Sequence, residues 1–149
     1  MWKIVLIILI IFFYQLPSYS DEKNYFLMLK NNKVNVRYGP SFDHPIKFVY
    51  KKKFLPIKIL DKEENFRKII DHKKNSGWIH ISQLKKSSTL IVLEDKIMFK
   101  KNTKLSRPLV KLEKGRLVVV KNCLVKWCKI KSDKFTGWIK NENIWGIFN

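Results

Sequence analysis

The chain contains the same two-stranded pattern twice. In the first copy Phe66 leads a short alternating run, a polar stretch follows, and Gly77-Trp78-Ile79 starts a second run. In the second copy Trp127 leads the first run, and Gly137-Trp138-Ile139 starts the second after a stretch one residue shorter. An aromatic-led strand, a polar turn and a second strand are typical of a β-hairpin. Because the hairpin is repeated, we predict two small domains of one fold.

The N-terminus has the three parts of a secretory signal peptide. A basic start at residues 1–3 precedes an apolar run over residues 4–13, and Ser18 and Ser20 stand at the −3 and −1 positions of a cut before Asp21. The apolar run is shorter than the roughly 20 residues that span a bilayer. We therefore predict cleavage and export, to the periplasm or the medium, with no transmembrane segment in the mature chain. An uncleaved anchor is the alternative.

The rest of the chain has the patterning of an all-β protein. Short apolar or alternating runs, such as residues 25–29, 34–37 and 55–60, are separated by turn signals such as Gly39-Pro40. No run has the period of a long amphipathic helix. About five short strands in each copy predict a small barrel or sandwich. Alternating apolar residues are expected to fill the first barrel, namely Val34, Val36, Ile57, Ile59, Ile69 and Ile79.

One segment resembles a known family. Asn35-Val36-Arg37-Tyr38-Gly39-Pro40-Ser41 is similar to the N-V-R-x-G-P-S opening of bacterial Src-homology-3-like (SH3b) domains, and the similarity continues through residues 44–52, 54–57, 65–69 and 77–80. In the second copy residues 101–106 stand where the N-V-R-x-G-P-S motif is expected, so the second domain is degenerate. The resemblance implies an exported protein with two tandem domains of this kind.

The predicted organisation is an all-β chain of two small SH3-like β-barrels in tandem after a signal peptide. The boundaries are residues 1–20 for the signal peptide, 21–86 for the first domain and 87–149 for the second.

Cys123 and Cys128 are the only cysteines. In an exported chain a lone pair predicts a disulfide, and this spacing suits the two strands of one hairpin. The alternative is a redox or nucleophilic thiol, which would need C-x-x-C spacing or a positioned base. The predicted bridge would staple the second domain and contribute about 2 kcal/mol.

The sequence offers no catalytic or metal-binding pattern. The three histidines, His44, His72 and His80, are scattered and have no further ligands clustered with them. Neither a nucleophile with its base, nor paired carboxylates, nor a phosphate-binding glycine loop is visible. We therefore predict a protein that is not an enzyme and has no metal and no cofactor.

The resemblance implies a shallow aromatic groove between the first long loop and the hairpin turn, where relatives hold extended segments. Tyr38 and Phe42, beside a turn, are expected to be exposed. Phe66 and Trp78 suit either the core or the groove. The candidate ligand-binding residues are Arg37, Tyr38, Phe42, Tyr50, Phe66 and Trp78.

The net charge of +19 has three interpretations. It reflects compositional background, attraction to an anionic envelope polymer or membrane, or nucleic-acid binding, which evenly spread charge makes the least expected. The leading hypothesis, implied by the resemblance, is a non-enzymatic binding module of the cell envelope. Its partner would be cell-wall peptidoglycan, recognised through peptide or glycan, or an extracytoplasmic protein segment. The alternative is a structural or adaptor protein whose basic surface binds an acidic partner or anionic polymer.

Overall fold

The structure is a computed structural model that describes residues 25–147, and in that range it is built from β-strands and one short 3-10 helix, Ile81–Gln83. The predicted signal peptide lies outside the described residues. Within residues 25–147 no helix is both long and apolar enough to cross a membrane. The all-β prediction is confirmed.

The strands form two seven-stranded antiparallel sheets, one from each half of the chain. The first sheet contains β1 (Tyr25–Leu29), β2 (Val34–Arg37), β3 (Ile46–Tyr50), β4 (Pro56–Glu63), β5 (Phe66–Ile70), β6 (Ser76–His80) and β7 (Leu84–Lys86). The second contains β8 (Thr89–Val92), β9 (Lys96–Phe99), β10 (Pro108–Leu112), β11 (Leu117–Cys123), β12 (Trp127–Ser132), β13 (Phe135–Lys140) and β14 (Ile144–Trp145).

The two sheets have the same topology. The first has the order β3-β2-β6-β5-β4-β1-β7, and the second has β10-β9-β13-β12-β11-β8-β14, which is the same order moved on by seven strands. The repeat seen in the sequence is therefore a repeat of the whole domain.

The repeated hairpin keeps its register in both copies. Ile69 pairs with Gly77 in the first domain, and Ile130 pairs with Gly137 in the second. The missing residue of the second copy changes only the turn, which contracts to the two residues 133–134 between β12 and β13. Asp133 adopts a positive φ of 51° there, as a tight hairpin turn requires.

Gly77 and Gly137 lie where a neighbouring strand passes close by. A Cβ on Gly77 would meet Val36 Cγ1 at 2.4 Å, and one on Gly137 would meet the Phe99 carbonyl oxygen at 2.5 Å. Both contacts are too short for any side chain, which explains why a glycine precedes each tryptophan.

Each barrel has a hydrophobic core of alternating strand residues. The six residues expected inside the first barrel are all buried, and the first core contains them. The second core is built from Leu90, Val92, Met98, Leu112, Val118, Cys128, Ile130 and Ile139.

Strand β8 is buried on both faces and joins the two cores. Leu90 and Val92 belong to the second core, whereas Ile91 between them belongs to the first. Leu117 and Trp145 of the second sheet also pack against the first core. The two barrels therefore share apolar packing and are not separate bodies on a linker.

Hydrogen bonds cross the same junction. Trp145 Nε1 donates to the Pro56 carbonyl at 3.0 Å, and Thr89 Oγ1 donates to the Phe54 carbonyl at 2.7 Å. The ring of Trp145 also meets that of Phe26 edge-on, with centroids 5.2 Å apart. The side chains of Trp145 and Thr89 thus both form hydrogen bonds across the junction, as is usual for buried polar groups.

The predicted disulfide is present. Cys123 and Cys128 are directly opposite each other in β11 and β12, with Cα atoms 4.0 Å apart. The bridge closes the tip of that hairpin around the exposed Leu124 and Val125.

The structure corrects the expected alignment of the degenerate motif. Phe99 pairs with Trp138 as Arg37 pairs with Trp78, so Phe99 occupies the position of Arg37. Residues 97–99 therefore replace Asn-Val-Arg, and residues 101–106 lie in the loop that follows. That loop, residues 100–107, has the same length as residues 38–45 of the first domain.

Candidate binding surface

The outer face of the first hairpin carries an aromatic cluster. Phe66 pairs with His80 and Lys68 pairs with Trp78 across β5 and β6, so these four side chains share one face of the hairpin. Ile69 and Ile79 alternate with them and point into the core. Phe66 and Trp78 are thus on the opposite side of the sheet from the first core.

Phe42 covers this cluster from the loop between β2 and β3. Its ring centroid lies 5.2 Å from that of Phe66 and 5.1 Å from that of His80. Phe66 is consequently only 5% exposed although it belongs to neither core, while Phe42 is 63% exposed. Phe66 was expected either in the core or in the groove. It lies in neither, because the ring of Phe42 from the loop covers it and buries it.

Arg37 holds the loop against the hairpin. Its Nη1 donates to the carbonyls of His44 at 2.7 Å and Phe42 at 3.2 Å, and its guanidinium carbon lies 5.4 Å from the centre of the Phe42 ring. Gly39 lies directly under the His44 ring, where a Cβ would meet it at 2.3 Å. The Arg and Gly of the N-V-R-x-G-P-S motif thus shape the loop that carries Phe42.

We call Arg37, Phe42, Phe66, Trp78 and His80 the first-domain face. Tyr38, which is 62% exposed, continues it toward the other end of β6. Lys47 Nζ lies 5.6 Å from the centre of the Tyr38 ring and donates to the Ser76 carbonyl at 2.9 Å.

His80 was not among the predicted binding residues, although the hairpin register opposite Phe66 could have identified it. The Ser82 backbone N–H donates to His80 Nδ1 at 3.3 Å, and Ser82 Oγ lies 2.8 Å from the same atom. With Nδ1 accepting, the proton of the neutral ring is on Nε2. His80 therefore contributes an N–H donor beside Phe42.

Tyr50 lies apart from the first-domain face. Its ring packs against the first core beside Phe48, and its hydroxyl donates to Asp71 Oδ2 at 2.9 Å. Burial, together with the charge of Asp71 and the hydrogen bond to it, raises the pKa of the Tyr50 phenol far above its usual value. Its hydroxyl is already bonded inside the barrel, so we leave Tyr50 out of the proposed surface.

Asp71 organises the turn of the first hairpin. Its carboxylate accepts hydrogen bonds from the Lys73 N–H and from the N–H and side-chain amide of Asn75, all at 2.8–2.9 Å. Burial alone would raise the pKa of Asp71, but the hydrogen bonds from Asn75, Tyr50 and Lys73 outweigh it and hold that pKa below its usual value. The charged carboxylate of Asp71 therefore has a structural role in the turn.

Among residues 25–147, no group of three or more His, Cys, Asp or Glu side chains is placed to hold a metal ion. His72 lies in the first hairpin turn. Burial lowers the pKa of its imidazole, and the charges of Lys73 and Lys52 lower it further, against the opposing effect of the Asp71 carboxylate. The described residues assemble an aromatic surface, and its groups are suited to contact a ligand.

Comparison with known proteins agrees with this architecture. The sequence profile of a family described as bacterial SH3 domain matches residues 30–86 and again residues 97–146. A search of curated proteins found no match.

The solved structures similar to this chain include NlpC2 and NlpC1 from Trichomonas vaginalis. They are 12% and 13% identical to this chain, each with a TM-score of 0.38, and the alignments cover 84% and 85% of it. The chain spans about half the length of each, 49% and 47%. Similarity at this level supports no inference about function. The family matches do cover both barrels: the chain belongs to the bacterial SH3 domain family and carries two such domains in tandem.

Proposed function

We propose that the chain is a non-enzymatic, exported binding module of the bacterial cell envelope. Its first-domain face would hold cell-wall peptide or glycan, or an extended segment of another exported protein. The observation that carries this proposal is the position of Phe42, which is 63% exposed and packs on Phe66 and His80 outside the core. A large exposed aromatic held on a built cluster is typical of a binding surface.

The shape of the face favours an extended ligand. Ser76, Trp78 and His80 project from alternate positions of β6 on the same side, which covers about 13 Å of strand. Lys47 and Tyr38 stand at one end, and Phe42 with His80 at the other. Such a row offers apolar contact along its length and donors at its ends, as a peptide stem or glycan chain requires.

The test is co-sedimentation of residues 21–149 with purified cell-wall sacculi at low and high salt. Phe42→Ala and Tyr38→Ala remove exposed rings of the proposed surface, and Tyr25→Ala is the matched control because Tyr25 is exposed on β1, away from it. We expect binding that survives high salt and weakens about tenfold or more in Phe42→Ala. Equal binding by Phe42→Ala and Tyr25→Ala would contradict the proposal.

A second candidate function rests on charge. With a net charge of +19, the surface could serve as an adaptor for an acidic protein or an anionic polymer without using the aromatic face. Exposed charges are screened beyond about 8–10 Å at physiological salt, so this mode would be lost at high salt. Binding that disappears with salt and ignores Phe42→Ala would favour it.

A further inference from the structure

The second domain has its own aromatic face, at the position equivalent to the first. Trp127 and Trp138 lie on the outer side of β12 and β13, because Cys128, Ile130 and Ile139 alternate with them and point into the core. Phe99 pairs with Trp138 from β9, and its ring lies 6.0 Å from that of Trp127. None of these three rings belongs to the second core.

One strand position of this face differs from the first domain: Lys140 stands where the first domain has His80, and its Nζ lies 3.4 Å from Glu142 Oε1. Lys140 is opposite Trp127, and Lys129 is opposite Trp138, so the face alternates rings and ammonium groups. The corresponding partners in the first domain are His80 and Lys68. We call Phe99, Trp127, Trp138, Lys129 and Lys140 the second-domain face.

The loop beside the second-domain face is also changed. Residues 100–107 include Lys100, Lys101, Lys104 and Arg107, all exposed, whereas the equivalent residues 38–45 contain no lysine or arginine. Lys104 stands at the loop position that Phe42 occupies in the first domain. The aromatic cover of the first domain is thus replaced by positive charge.

We propose that the second-domain face is a separate binding site for an acidic glycan, a sugar polymer that carries carboxylate or phosphate groups. Sugar rings present C–H faces that pack on Phe99, Trp127 and Trp138, and the acidic groups between them meet Lys129 and the lysines of the loop. A basic groove lined with aromatic rings also suits single-stranded nucleic acid. The choice of a glycan rests on the proposed envelope function.

The test measures affinity for polygalacturonate, a polyuronate, with neutral dextran and an oligo(dT) strand as comparison ligands at fixed salt. The site variant is Lys100→Gln/Lys101→Gln/Lys104→Gln, and a second variant is Lys129→Gln. The control is Lys33→Gln/Lys51→Gln/Lys86→Gln, which removes the same charge from exposed positions of the first domain. These are surface changes that leave both cores intact.

We expect the loop variant to lose about tenfold in affinity for polygalacturonate, Lys129→Gln to lose several-fold, and the control to change less than about twofold. Equal losses in the loop variant and the control would overturn the site, since attraction would then be spread over the whole surface. Binding to dextran as tight as to polygalacturonate would overturn the acidic ligand, and tighter binding of oligo(dT) would overturn the glycan.

The outcome is separable from that of the proposed function. Phe42→Ala belongs to the first-domain face and is expected to leave polygalacturonate affinity unchanged, while it weakens binding to sacculi. The two affinities, for polygalacturonate and for sacculi, therefore distinguish failure of the second-domain site from failure of the first-domain site.

Discussion

The Tyr50 hydroxyl donates a hydrogen bond to Asp71, and this bond ties strand β3 to the turn of the first hairpin. Asp71 is 2% exposed and accepts three further hydrogen bonds from Lys73 and Asn75. At the equivalent positions the second domain has Leu112 and Ser132, and its hairpin closes instead as a two-residue turn. The hairpin turn of the first domain is therefore held by one buried carboxylate, whereas the turn of the second domain is held by strand pairing.

Asp71→Asn should destabilise the protein because an amide cannot accept all four hydrogen bonds. We expect a loss of about 1–3 kcal/mol in the free energy of unfolding, measured by urea denaturation at pH 7. Tyr50→Phe, which removes one donor and keeps the ring, should cost about 1 kcal/mol. If Asp71→Asn were no more damaging than Tyr50→Phe, the turn would not depend on the carboxylate.

The same carboxylate predicts a dependence of stability on pH. The pKa of Asp71 is lowered in the folded state, so its contribution is complete above the unfolded value of about 3.9 and is lost as pH falls below it toward the folded pKa. In the wild type, the denaturation midpoint should decrease as the pH is lowered below about 4. Asp71→Asn should show a smaller fall over the same interval, and parallel curves would count against this assignment.

Gly77→Ala should destabilise the protein more than Gly39→Ala does. A Cβ on Gly77 would meet Val36 and the Arg37 carbonyl of a neighbouring strand, which cannot move without disturbing the barrel. The three atoms nearest to a Cβ on Gly39 would all belong to the His44 ring, which is exposed and can move. We expect at least about 1–3 kcal/mol for Gly77→Ala and less for Gly39→Ala, measured by thermal unfolding. The reverse order would refute this explanation.

The spacing of Val34 and Val36, and of Ile57 and Ile59, was enough to predict which side of each strand faces the core, because period-two patterns define which residues share a face. The burial of Phe66 was not predictable from this pattern. Its face is the outer one, and it becomes buried only because a loop aromatic from another part of the chain covers it. Local sequence gives no measure of such a contact.

The second half of the chain shows the same limit. Ile91 lies in the first core although it belongs to the second sheet, because β8 is packed between both barrels. The sequence prediction misplaced the segment equivalent to Asn-Val-Arg, because residues 97–99 resemble that motif only in forming a strand. The pairing of Phe99 with Trp138 identifies the correct alignment. The bridge between Cys123 and Cys128 was predictable from their number and spacing in a chain expected to be exported.

The disulfide should stabilise the second hairpin without being essential to it. Cys123→Ser/Cys128→Ser removes a bridge over a short loop, and we expect a loss of about 2 kcal/mol on the chain-entropy model. Because β11 and β12 pair along several residues beyond the bridge, the fold should persist. Circular dichroism with and without reductant provides the measurement, and complete unfolding of the double variant would show that strand pairing alone does not hold the hairpin.

The shared strand β8 predicts that the two barrels unfold together. Ile91 is fully buried in the first core, so Ile91→Ala should cost about 2–5 kcal/mol and should lower the midpoint reported by probes in both domains. Leu105→Ala provides the matched control, because Leu105 is 98% exposed and should leave stability unchanged.

Calorimetry of the intact chain should accordingly show one transition with equal calorimetric and van't Hoff enthalpies. A fragment that ends at Lys86 lacks Ile91, Leu117 and Trp145, and it should be much less stable than the first domain within the whole protein. Two resolved transitions, with Ile91→Ala shifting only the one that belongs to the second domain, would mean that the junction does not couple the barrels. A single transition that shifts as a whole is the expected result, because the residue between Leu90 and Val92 fills the neighbouring barrel.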